Sequence, residues 1–127
     1  MKKAISSLLT ALLLWLPLSL KAESHISPTR YDYSDVARQI TAGCANDYER
    51  ARAIYCWMCK EIAYDVSRQV YTADGCWEQR KGVCQAYCEL FFRLADPLGI
   101  RTEIISGISK ERDGSISMAG HSWLFVV

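Results

Sequence analysis

The chain has 127 residues, half of them hydrophobic, with six cysteines, four tryptophans and a formal net charge of +1. Lys2, Lys3 and Lys21 all fall in the first 22 residues, which hold no acid, so residues 23–127 carry 12 basic and 14 acidic side chains, a net charge of −2. A mildly acidic stretch of about a hundred residues leaves room for one small domain and gives no electrostatic reason to expect a nucleic-acid partner.

Met1-Lys2-Lys3, an apolar run from Ala4 to Leu20 and the polar Lys21-Ala22-Glu23-Ser24 predict a secretory signal over residues 1–22, cut after Ala22. Ser6, Ser7, Thr10, Pro17 and Ser19 interrupt the run, which argues against a stable membrane anchor. The mature chain is therefore expected to be secreted or periplasmic. In such a compartment Cys44, Cys56, Cys59, Cys76, Cys84 and Cys88 are open to disulfide formation, and spacing does not fix the pairing. Cys56/Cys59 and Cys84/Cys88 have spacings that suit zinc, but both pairs lie in helix-periodic stretches rather than on tight turns, so neither metal nor cofactor is expected.

Residues 23–33, with Pro28 and two tyrosines, read as an extended lead-in to a domain over 34–127. Ser34 is placed to cap a short helix carrying Val36, Ala37 and Ile40, which Gly43 ends. Asn46 with Glu49 three residues on resembles a capping box, and Ala51, Ile54, Tyr55, Met58, Cys59 and Ile62 then recur at helical spacing, predicting a helix over 47–63. The stretch from Tyr64 to Gln79 shows no sustained period and contains Asp74-Gly75 as a turn signal. A connection that long in a compact domain points to a functional loop, with Trp77 as a candidate wall of a substrate cleft.

Val83, Ala86, Tyr87, Leu90, Phe91, Leu94 and Ala95 form the apolar stripe of the next predicted helix, and Cys84 falls in its first turn. Backbone N–H groups there lack intrahelical partners and the helix end is electropositive, so a thiolate is stabilised and the Cys84 N–H is available to a developing oxyanion. Gly82, lacking Cβ, is expected to let a substrate approach the backbone. Gln85 is a further cleft candidate. Pro97 and Gly99 end the helix. A strand over 100–108, a hairpin connection over 110–118 around Asp113-Gly114, and a returning strand over 121–127 complete the chain.

A thiol nucleophile needs a base, and two histidines are present: His25 in the lead-in and His121 at the start of the last strand. His121 is the better placed, since the strand that follows the cysteine helix pairs with its own. The ordinary alternatives are a buried or bridged cysteine and a histidine bonded at a strand edge.

Ala53-Ile54 through Trp57, Glu61-Ile62-Ala63-Tyr64-Asp65, Arg80-Lys81-Gly82-Val83-Cys84, the Leu90 to Gly99 helix end, Gly107 and His121-Ser122-Trp123 together resemble the transglutaminase-like superfamily, which shares the papain-like cysteine-enzyme fold. The resemblance implies an α+β core with N-terminal helices packed on a small antiparallel sheet, and a Cys-His-Asp triad. Cys84 would attack a carboxamide or peptide carbonyl, His121 would act as acid and base, and the acyl group would pass to an amine or to water. Trp123 joins Gly82, Gln85 and Trp77 as a cleft candidate, and a protein or peptide substrate, such as a cell-envelope peptide, is implied. The chain departs from the family in two places. Leu124 stands where the family usually has Asn, and the family's Asp lies on a strand past Val127, so the sheet is expected to be incomplete at the C-terminus and activity weak or absent. The competing expectation is a catalytically silent binding or scaffold module of the same fold.

Overall fold

The lead-in is tied down by side chains from much later in the sequence. In the structure, a computed structural model that describes residues 26–127, Thr29 Oγ1 and the Arg30 N–H donate to Asp74 at 2.6 and 2.7 Å, and Tyr33 OH donates to the same carboxylate at 2.9 Å. The predicted signal and His25 lie outside the described residues.

Helix α1 spans Ser34–Ile40 and α2 spans Asp47–Glu61. Ser34 is the first helical residue rather than the cap; its N–H is taken by Asp32 Oδ1 at 2.9 Å. Asn46 caps α2 as expected, its Oδ1 accepting from the Glu49 N–H at 2.9 Å. The return bond from Glu49 goes to the Ala45 N–H instead of that of the cap residue, one position earlier than in the standard box.

Between residues 62 and 83 the structure departs most from expectation. A two-residue strand β1, Ala63–Tyr64, pairs in parallel with β2, Lys81–Gly82, and a seven-residue helix α3, Ala73–Gln79, lies between them. Asp74-Gly75 is therefore the first turn of a helix, not a loop turn. Thr72 supplies the cap, accepting from the Gly75 N–H at 3.1 Å.

Helix α4, Cys84–Ala95, packs against α1, α2 and α3. Its Ala86, Leu90, Leu94 and Ala95 are buried with Ala37, Ile54, Met58 and Ile100, and this cluster is the core. A 3-10 turn, Asp96–Leu98, and Gly99 at φ +74° reverse the chain, the left-handed backbone falling where glycine tolerates it. Strands β3, Thr102–Lys110, and β4, Ile116–Val126, form an antiparallel hairpin pairing Glu103 with Phe125 and Gly107 with His121. Both strands run farther toward the turn than expected, and the hairpin rests on α4.

Candidate active site

Asp65 begins the series of contacts that positions Cys84. Its carboxylate is 2% exposed and accepts from Ser67 Oγ at 2.5 Å, the Gln69 N–H at 2.7 Å and the Val70 N–H at 2.9 Å, with Lys81 Nζ 3.5 Å away. The Ser67 hydroxyl, then the two amides and Lys81, outweigh the cost of burial and hold this carboxyl well below the usual carboxylate range. Val70, fixed in this way, accepts from the Val83 N–H at 3.0 Å, and the Asp65 N–H donates to the Gly82 carbonyl at 2.9 Å. Val83 is extended and its carbonyl takes the first helical bond, from Tyr87, so Cys84 is the first residue of α4.

No side chain caps this helix, in contrast to α2 and α3. Among the described residues, the N–H groups of Cys84, Gln85 and Ala86 meet no acceptor. Cys84 is half-buried and lines an open cavity of about 460 Å³. His121 lines the same cavity.

The hairpin that carries His121 is pinned to α4 by polar contacts. Ser122 Oγ donates to Gln85 Oε1 at 2.7 Å, and Gln85 Nε2 donates to Glu89 Oε1 at 3.0 Å. Glu89, 1% exposed, also accepts from the Ala73 N–H and Ser27 Oγ, so one buried carboxylate ties α3, the lead-in and, through Gln85, β4 to the middle of α4. Side chains alternate along a strand, which leaves His121 and Trp123 on the face opposite Ser122. The His121 imidazole packs edge-on against the Trp123 indole with ring centroids 4.6 Å apart. Among the described residues it makes no hydrogen bond to Cys84 Sγ or to a carboxylate.

Of the other cleft candidates, Gln85 lines the cavity and Gly82, Trp77 and Trp123 do not. Gly82 is needed for packing: a Cβ there would stand 2.7 Å from Ala86 Cβ and 3.0 Å from Cys76 Sγ. Trp77 stacks on Trp57 and meets Tyr33 edge-on, with the Arg80 guanidinium 4.2 Å above its ring, so it belongs to the core's margin. The cavity wall that sequence reasoning missed consists of Tyr64, Arg68 and Tyr71, from the aperiodic stretch.

All six cysteines are free thiols. Burial pushes the Cys76 thiol up to about 12 and the Cys88 thiol up to about 11, which makes both inert near neutrality. Among the described residues no group of three or more His, Cys, Asp or Glu side chains is arranged to hold a metal. A larger groove of about 960 Å³ between α2, α4 and β4 is mainly apolar, and no histidine is among the described residues that line it. Leu124 points into it, beside Tyr87 and Phe91, and not toward Cys84.

The family model of the transglutaminase-like superfamily matches residues 34–127. The chain belongs to that superfamily. Within it, the chain is 34% identical over 71 residues to the kyphoscoliosis peptidase of Mus musculus and 33% identical over 70 residues to that of Homo sapiens. These stretches cover about half of this chain and 11% of each peptidase. Among solved structures, a candidate cysteine protease from Cytophaga hutchinsonii superposes with a TM-score of 0.60 at 22% identity, covering 79% of this chain and 36% of that one. A candidate protease from Parabacteroides distasonis gives 0.56 at 13% identity, covering 76% and 21%. The α+β arrangement described above is thus the transglutaminase-like, cysteine-protease-like fold.

Proposed function

We propose that this transglutaminase-like domain carries out cysteine acyl transfer or amide hydrolysis on a protein or peptide, with Cys84 as nucleophile and His121 as acid and base. The observation that carries the reading is that Cys84, at the uncapped start of α4, and His121 of β4 line one solvent-open cavity. The Cys84 thiol would pass its proton to His121 while sulfur adds to the carbonyl carbon. The oxyanion would be met by the free Cys84 N–H, and collapse would expel the amine with the proton returned by His121. An amine or water would then discharge the thioester.

A hydrogen bond between the Cys84 thiol and the imidazole must form for this to proceed, since the imidazole rests on Trp123. Catalytic hydrogen bonds in unliganded sites are often long and close only around substrate. The peptidase and protease names of the relatives support the same chemical class. Residues 1–22 would direct the domain out of the cytoplasm.

The silent-module reading is favoured by one observation, the imidazole's edge-on contact with Trp123 in place of any bond to sulfur or carboxylate among the described residues. Intact-protein mass spectrometry after incubation with an activated peptide ester separates the two. An acyl adduct on Cys84 that is released by added amine or by water, and is missing in Cys84→Ala, is the expected result. Absence of any adduct on Cys84 would leave the silent module standing.

A further inference from the structure

We infer that the Cys84 cavity selects acylating substrates that carry a carboxylate close to the attacked carbonyl, with Arg68 as the group that reads it; this rests on the acyl-transfer reading above.

Arg68 lines the same cavity as Cys84 and His121, together with the half-exposed Tyr64 and Tyr71. No aspartate or glutamate among the described residues lines the cavity. Among the described residues no carboxylate lies within ion-pairing distance of the Arg68 guanidinium. The nearest acid in sequence, Asp65, is turned inward, where Ser67, two backbone amides and Lys81 meet its charge. The free N–H groups at the start of α4 add their partial positive charge from the other wall. A cavity whose fixed charges are all of one sign raises the local concentration of ligands of the opposite sign.

The backbone at Arg68 gives a second, independent indication. Among the described residues two non-glycine residues have a positive φ, Arg80 at +55° and Arg68 at +52°. Arg80 has a structural reason: it ends α3 and stacks on Trp77. Arg68 has no stacking or ion-pair partner among the described residues. Its left-handed conformation is held by the Asp65 turn, in which the Arg68 N–H donates to the Asp65 carbonyl at 3.0 Å while the Asp65 side chain grips residues 67, 69 and 70. A disfavoured backbone kept by its surroundings and presenting an unpaired cation to a cavity is the arrangement expected of a recognition residue. The guanidinium suits a carboxylate, which it can meet through two parallel N–H bonds, and the tyrosine rings offer flat contact to the flanking chain.

The test compares two alkylating reagents of nearly equal size on the full chain, anionic iodoacetate and neutral iodoacetamide, reading the rate at Cys84 by peptide mass spectrometry. The iodoacetate-to-iodoacetamide rate ratio at Cys84 should exceed that of N-acetylcysteine by roughly fivefold or more at low salt, and fall toward it in 0.5 M NaCl. Arg68→Asn, which tolerates the left-handed backbone, should abolish the excess in the ratio, from which any change in thiolate population common to both reagents cancels, and Arg68→Lys should keep a part of it. A ratio equal to that of N-acetylcysteine, or an excess that survives in Arg68→Asn, would overturn the inference. Slow alkylation by both reagents would count against an activated Cys84, and the ratio would still decide the role of Arg68.

Discussion

Asp65 places Cys84 through the backbone, by way of Val70 and Val83. Its carboxylate fixes Val70, Val70 holds Val83, and Val83 sets the first turn of α4. Because Ser67 and the amides depress its folded-state value below that of the unfolded chain, the folded protein holds this proton less tightly than the unfolded one. The resulting stability is present above the unfolded carboxyl's value of about 4 and is lost as the pH falls toward the folded one. Asp74, held down by Thr29, Arg30 and Tyr33 against the effect of its own burial, acts in the same direction. Urea midpoints measured between pH 7 and pH 3 should therefore show a steep acid limb. Asp65→Asn should start lower at pH 7 and lose less on acidification, whereas an unchanged acid limb in that variant would mean that Asp65 is not a main contributor.

At the level of elements, the contact of α3 with the base of α4 decides what can stand at Gly82. The clash distances to Ala86 and Cys76 predict that Gly82→Ala is destabilising by about 1–3 kcal/mol, measurable as a lowered urea midpoint at an unchanged slope. A variant as stable as the parent would return Gly82 to a role in substrate approach. The same contact shows which elements were legible in the sequence. The start and stripe of α4, the Asn46 cap of α2 and the hairpin all follow from periods or caps that extend over many residues. Helix α3 does not, because seven residues opening Ala-Asp-Gly show no stripe and its one strong signal, Thr72, lies before a glycine that reads as a turn. Strands β1 and β2, two residues each, are too short for any period and exist because the Ala63 N–H donates to the Arg80 carbonyl and the Asp65 N–H to the Gly82 carbonyl, joining two chain segments.

Across the whole molecule the site joins two parts with different support. Cys84 stands on the helical body, whose core side chains are almost fully buried. His121 stands on a hairpin with mostly exposed side chains, held to that body through Ser122, Gln85 and Glu89. That Cys84 opens α4 and that His121 lies on a strand of the hairpin was legible because each belongs to a strongly patterned element. The third wall, Tyr64, Arg68 and Tyr71, was not, because Tyr64 ends a two-residue strand and Arg68 and Tyr71 come from the loop after it, which the buried Asp65 carboxylate holds. Trp77 shows the same dependence: a tryptophan in an aperiodic stretch looks available in the sequence, and it is Trp57 and Arg80, distant or unpatterned in sequence, that pack on it.

The pairing of sulfur and imidazole across the shared cavity is tested most directly by the second-order rate of iodoacetamide with Cys84 near neutral pH, in the parent chain and in His121→Ala. A rate at least about tenfold above that of N-acetylcysteine, falling by a similar factor in the variant, is the predicted result. Equal rates in the two proteins would contradict the account, since they would show that the imidazole has no influence on the thiol.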